Sequence, residues 1–268
     1  MEDAKRKTHT DVFVKRKWTY TITLGGVLIL FLLAAHMTNY SLVGGLLAIP
    51  QALIWMAQNL IPSADSWTRL PTILNRLFET ALVSVTVTVC AAICAFLFSL
   101  LGTRTMNVNV VVNKLVRMVA AIFRSIPEVV WAILLLFSFG QNILTGFFAL
   151  YFTTFGMLTR AFIETIDEVS AAGVEALQAT GAKPLQVVFQ GIVPSSISII
   201  ISWVLYMIET NIRAATLIGI LTGTGIGALF NLYYSRLDYG SAGLVVLMTA
   251  ILVVAIETIS NLIRKVIL

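Results

Sequence analysis

Three features of the sequence predict an all-α polytopic membrane protein with six transmembrane helices. The first is composition: of 268 residues, 58% are hydrophobic and 12% charged, where a soluble domain carries about 25% charged residues. The second is apolar blocks close to the length of roughly 20 residues that a helix needs to cross hydrocarbon. They are continuously apolar rather than alternating, which selects helices over a closed β-barrel. The third is a strongly one-sided distribution of Lys and Arg between the loops, the mark of a cytoplasmic face.

The elements follow in order. Lys5, Arg6, Lys7, Lys15, Arg16 and Lys17 form a basic flank before the first apolar run. Such a flank accounts for the net charge of +5 without any nucleic-acid partner. Residues 18–37 form the first span, read as uncleaved because no A-x-A site follows. Residues 41–61 are apolar but broken by Pro50, Gln51, Gln58 and Asn59. Further spans are expected at 74–101, 117–140, 143–166, 190–212 and 242–263.

Charge decides how 41–61 lies. If it does not cross, the N-terminal six join Arg104, Lys114, Arg117, Arg124, Arg160, Lys183, Arg264 and Lys265 on one face, against Arg69, Arg76 and Arg236 on the other. If it crosses, the asymmetry nearly vanishes. The positive-inside bias favours the first arrangement, with both termini cytoplasmic and 41–61 amphipathic at the outer surface. The chain then divides into 1–71 and a transmembrane core, 72–268, with a cytoplasmic loop at about 167–193.

That loop holds an unexpectedly polar stretch, EALQATGAKPLQVVFQGIVP, residues 175–194. An Ala- and Glu-rich helix over 168–180 ends at Gly181, Pro184 acts as a stop, and a second helical run leads to Pro194. Two structures of use fit this pattern: a plain connector, or a projecting helix gripped by a soluble partner. The spacing of Glu175, Ala176, Gly181 and Pro194 resembles the EAA signature of ABC-importer permeases. Leu177, Gly191 and Val193 depart from it, while Thr180, Gly181 and Ala182 match the wording usual after the Glu. The resemblance runs from about Leu74 to the C-terminus and includes FRSIPEVVWAILLL at 123–136. It implies a type I, MetI-like permease fold, with Glu175, Ala176, Leu177, Thr180, Gly181, Ala182 and Pro194 coupling the chain to an ATPase.

The fifth span contains IETNIRAATLIG. Glu209 and Arg213 are four residues apart and meet on one helix face. Charges at membrane depth are costly, about 2.5–3.5 kcal/mol each on insertion scales, and face a cavity or a partner. The pair is either structural or part of a translocation path, where Arg213 and Asn211 would favour an anion. The run Glu209, Thr210, Asn211, Ile212, Arg213, Ala215 and Thr216, then Gly219, Gly223, Gly225 and Gly227, resembles the phosphonate branch of these permeases. Thr222 and Thr224 depart from its glycine-rich turn. The resemblance implies a path or gate at Glu209, Asn211, Arg213, Thr216, Gly223, Gly225 and Gly227. The glycines serve either close packing or a gate hinge.

Other chemistry is excluded by what is missing. No Gly-Lys pair occurs, so no phosphate-cradling loop exists, and any ATP and Mg belong to a partner. GTGIGA, at 223–228, lacks the βαβ setting of a dinucleotide site. Cys90 and Cys94 read as packing residues, and neither His9 nor His36 has a carboxylate at helical spacing for a membrane enzyme. An ion-coupled secondary transporter would need repeated halves with paired broken helices. The resemblance therefore implies a bacterial plasma-membrane importer for phosphonate or a related phosphorus oxyanion (phosphite, phosphate), with an ABC permease for another small solute, or an ion-coupled secondary transporter, as the alternative. Its partners would be a second copy of the chain, two ABC ATPase subunits, an extracytoplasmic phosphonate-binding protein and membrane lipid. The protein itself would carry no cofactor and no metal.

Overall fold

The computed structural model describes residues 2–106 and 109–267, with side chains from residue 14 onward. Lys5, Arg6, Lys7 and His9 lie outside the described side chains. Every regular element among the described residues is helical. The chain separates into two compact units, Met1–Gln58 and Asn59–Leu268.

The first unit holds α1 (Glu2–Met37) and nearly all of α2 (Leu42–Asn59), joined through Asn39 at φ 54°. The α2 helix keeps Pro50 inside it and buries none of its residues. It is itself long and apolar enough to cross a membrane.

The second unit begins with α3 (Ala64–Trp67) and α4 (Leu70–Gly102). Next come α5 (Val110–Ser125) and α6 (Glu128–Phe139), bent by 87° against each other. The expected single span at 117–140 is thus a broken one. Its cause is Pro127, which holds Ile126 in an extended conformation (φ −93°, ψ 119°). The carbonyls freed at the break find donors: Ser125 Oγ to Ile122 O (2.9 Å), Trp131 Nε1 to Phe123 O (3.4 Å) and Thr153 Oγ1 to Ile126 O (3.4 Å). Such partners are what make non-helical backbone tolerable at membrane depth.

The next helix, α7 (Ile143–Val169), runs parallel to α4. Ala91 and Ala95 of α4 meet Phe155, Leu158 and Phe162 of α7 in one buried cluster. Gly102 lets the two approach, since a Cβ there would stand 2.5 Å from Ile163 Cδ1. After Ser170 come α8 (Ala171–Ala179), α9 (Pro184–Val187) and a π turn (Val188–Ile192) that runs into α10 (Val193–Thr222). Two expectations change here. The helix expected over 168–180 is interrupted at Ser170, whose hydroxyl lies 2.7 Å from that of Ser195. Pro184 does not stop a helix but opens one, at a first position that needs no N–H. The fifth span also outruns its expected end at 212: its helix stops only at Gly223, which takes the left-handed conformation of a C-terminal cap.

Last come α11 (Gly225–Ser235) and α12 (Tyr239–Ile267). Gly243 packs against the carbonyl of Leu60, where a Cβ would come within 1.9 Å, and Arg69 pairs with Asp238. The core therefore has an α8 end and an α11 end, with α4, α7 and α10 running between them. Arg124 and Arg160, expected on the cytoplasmic face, lie along this run rather than at its end. Gly156, at the centre of α7, abuts the backbone of Arg124.

Candidate functional site

Three groups of residues singled out from the sequence occupy three places in the fold. The first is at mid-height. Asn211 is 3% exposed. Its Nδ2 donates to Thr88 Oγ1 (2.8 Å) near the middle of α4 and to Thr154 Oγ1 (2.9 Å) near the middle of α7. Ser84 Oγ donates to the Asn211 carbonyl at 3.4 Å. A buried amide without such partners would cost about 1–3 kcal/mol, so this node fixes α10 in register against both neighbours.

Arg213 lies two residues on, about 200° around the helix, and therefore on the opposite side. Its guanidinium donates to Glu209 Oε1 at 2.8 Å. The Arg213 side chain is 47% exposed and that of Glu209 12%. Trp203, Tyr206, Arg213 and Leu217 are all exposed at helical spacing along this face. The structure thus separates the expected path residues: Asn211 serves the interior of the helical core, and Arg213 faces outward at the same height.

The second group is the glycine turn. Gly223 ends α10 in the left-handed region (φ 68°), and Gly225 follows at φ 57°. A Cβ on Gly227 would lie 2.1 Å from Thr216 O, and one on Gly225 would lie 2.4 Å from Thr80 Oγ1. Thr80 Oγ1 also accepts from the Ile226 N–H at 2.9 Å, capping α11. Thr216 takes part through its backbone, while its hydroxyl donates to Ile212 O (3.2 Å). Gly227 thus allows backbone contact between α10 and α11, and Gly225 allows α11 to begin against α4. A cleft beside them is lined by Glu79, Thr80, Thr224 and Gly225.

The third group is α8 with its flanking turns. Val174 is buried and Leu177 half-buried against Ile166, Val187, Val188 and Ile192. Glu175, Ala176, Thr180, Gly181 and Pro194 are exposed, and Ala182 is half-buried. The helix is therefore anchored on one edge and presents the other. Gly181 has φ 79°, the conformation that turns the chain from α8 to α9. Pro194, which has no N–H to donate, sits directly after the π turn, in which the Val193 N–H reaches Val188 O.

Sequence reasoning missed a polar knot beside α8. Asp167 accepts from Arg117 Nη2 (2.8 Å), the Arg104 N–H (2.9 Å) and the Thr103 hydroxyl. Arg117 Nε (3.0 Å) and Asn113 Nδ2 (2.5 Å) both donate to Gly102 O. One carboxylate thus ties the ends of α4 and α7 to α5. Its partners lie 50 to 64 residues away in sequence, where no helical spacing could reveal them.

Residues 88–268 match the family described as the binding-protein-dependent transport system inner membrane component. The chain is 28% identical over 191 residues to the phosphite transport system permease protein PtxC of Stutzerimonas stutzeri, covering 70% of this chain and 69% of that one. It is 26% identical over 144 residues to the phosphate-import permease protein PhnE of Mycolicibacterium smegmatis, covering 54% of this chain and 27% of that one. Among solved structures it resembles the inward-facing MetNI methionine ABC transporter with a TM-score of 0.61 at 17% identity, over 74% of this chain and 98% of that one. At that identity the likeness establishes the fold. The chain therefore belongs to the family of inner-membrane components of binding-protein-dependent transport systems, and its part in such a system is that of the membrane-spanning permease, not an enzyme.

Proposed function

We propose that this permease moves a phosphorus oxyanion, of the phosphite, phosphate or phosphonate class, along the outward face of α10. The observation that carries this is Arg213. It stands level with Asn211, Thr88 and Thr154, at the middle of the helical core, and half of its side chain is exposed. A charge at that height does not face lipid cheaply. Water or a second protein surface must cover it, and both conditions hold if two copies of the chain enclose a path between them. Glu209 engages one guanidinium nitrogen, which leaves further donors in the planar fork that suits an oxyanion. The relatives named for phosphite and phosphate support this choice of substrate class.

In this reading the α8 end is cytoplasmic, together with both termini, and α8 seats in an ATPase subunit. Two such subunits supply ATP and Mg, and an extracytoplasmic binding protein delivers the anion at the α11 end. Family membership favours this over an ion-coupled transporter.

The test is uptake into proteoliposomes containing the permease, its ATPase and its binding protein, with phosphite, phosphate and methylphosphonate compared with and without ATP. Loss of a charged hydrogen bond worth about 1.5–3 kcal/mol should lower uptake by Arg213→Ala roughly tenfold to hundredfold. Arg213→Lys should fall between that variant and the wild type. Uptake by Arg213→Ala at the wild-type rate would remove the substrate from this face.

A further inference from the structure

The break between α5 and α6 lies level with the centre of α7, and it carries a charge. Arg124 is in the last turn of α5, is exposed, and has no hydrogen-bond or ion-pair partner for its side chain among the described residues. Its backbone touches the centre of α7 at Gly156, so the residue is held where an unpaired guanidinium in lipid is unfavourable. Its place at a helix C-terminus offsets only part of that cost. Beside it opens a groove of about 150 Å³ lined by Arg124, Met157, Arg160, Glu164, Trp203 and Met207. Arg160 is paired with Glu164 across one helical turn, so that Arg124 is the uncompensated cation of the groove.

The groove adjoins the face that bears Arg213. Trp203 belongs to both, lining the groove and continuing the exposed stripe of Tyr206 and Arg213. From Arg213 the line leads towards the α8 end, because α10 begins at Val193 on that side and Trp203 and Met207 precede Arg213. Broken helices with their ends at mid-membrane recur where a path or cavity must be lined.

The geometry points to a second oxyanion station at this groove, with Arg124 as its ligand and Arg160 held in reserve by Glu164, taking the anion between Arg213 and the α8 end. It rests on the proposed path along α10 and adds a position to it. A phosphite or phosphate oxyanion meets a planar donor at each station, and the single net charge of the second keeps the ion from being trapped.

Two measurements test this in the assembled transporter. The first uses Met157→Cys in a Cys90→Ser, Cys94→Ser background, with thiol reagents of opposite charge applied to permeabilised proteoliposomes. The anionic sulfonatoethyl reagent should react at least about fivefold faster than the cationic trimethylammonium one, relative to their rates with a free thiol, because a cation concentrates anions locally. The bias should vanish in Arg124→Gln, and phosphite should slow the reaction. No reaction with either reagent, or reaction without bias, overturns the station. The second is ATP-driven phosphite uptake. Arg124→Gln should lower the maximal rate about tenfold with little change in half-saturation, since the binding protein captures the ion upstream, and Arg124→Lys should recover much of the loss. Wild-type uptake by Arg124→Gln also overturns it. If the wild type takes up none of phosphite, phosphate and methylphosphonate, the path along α10 fails and the station falls with it. If the wild type transports and Met157→Cys is silent, only the station fails.

Discussion

The side chain of Leu177 projects towards the one position in the π turn that has no side chain. A Cβ built on Gly191 would stand 3.0 Å from Leu177 Cδ1 and 3.5 Å from Val174 Cγ2. Both residues depart from the loop signature that the sequence resembles, one larger than the pattern and one smaller, and they meet in space. The departures are complementary in volume, so each should matter alone and less together. Leu177→Ala opens a void and Gly191→Ile forces a clash, and each should destabilise the purified permease by about 1–3 kcal/mol. The double variant should recover part of that loss, a coupling readable as non-additive melting temperatures in detergent. Strict additivity would mean that the two positions are independent. Asn211 teaches a related lesson. It reads from sequence as part of a charged motif, yet its side chain faces Thr88 and Thr154 while its neighbour two residues on faces outward.

Between helices, the clearest device is the clasp at the α11 end. Arg69, just before α4, pairs with Asp238, just before α12, and stacks its guanidinium over Tyr233 at 4.9 Å. The Ser241 N–H adds a hydrogen bond to Asp238 Oδ1 at 3.2 Å. Burial pushes the Asp238 carboxyl up, but the Ser241 hydrogen bonds and the Arg69 charge outweigh it, so that its pKa lies below the ordinary value. A carboxylate lowered on folding stabilises above its unfolded pKa, and that contribution disappears as pH falls through the folded value. Both side chains are partly exposed, which limits the effect to about 1 kcal/mol or less. Asp238→Asn should therefore melt lower than the wild type at neutral pH, and the difference should close as the buffer is taken below the carboxylate range. A difference that stays constant with pH would assign the clasp to packing instead. The α5–α6 break belongs with this class of feature. Its signal, Ile126-Pro127, is plain in the sequence, but a continuous apolar block reports length and composition rather than direction. Only the packing of Trp131 and Phe123 against Phe152 fixes the turn, with ring centroids 4.8 and 5.1 Å apart.

Across the second unit, α8 is wired to the core in two ways. Val174 and Leu177 pack it against Ile166, Val187, Val188 and Ile192, and Asp167 ties the adjacent end of α7 to α4 and α5. Force applied to the exposed edge of α8 would be carried into α7 and, through the π turn, into α10, which bears Arg213. Gly181 sets the direction of that edge. A Cβ there meets nothing within 4 Å, yet φ 79° is unfavourable for a β-branched residue by about 1–2 kcal/mol. Gly181→Val should accordingly insert and fold, but retain less ATPase subunit on co-purification and lose substrate-stimulated ATP turnover. Full retention with coupled uptake would reduce the segment to a connector.

The sequence was sufficient for the membrane class, the helical content and the permease family. These depend on composition, on the lengths of apolar runs and on local spacing, all of which a single chain displays along itself. It also placed the polar loop and the Glu209–Arg213 pair, because residues four apart on a helix are neighbours whatever surrounds them. It could not show that Asp167 gathers Arg117 and Thr103, that α5 and α6 part at a right angle, or that Arg124 stands level with the middle of α7 with no side-chain partner among the described residues. Those relations join residues far apart in the chain, and only the packing of one helix against another brings them to the same height.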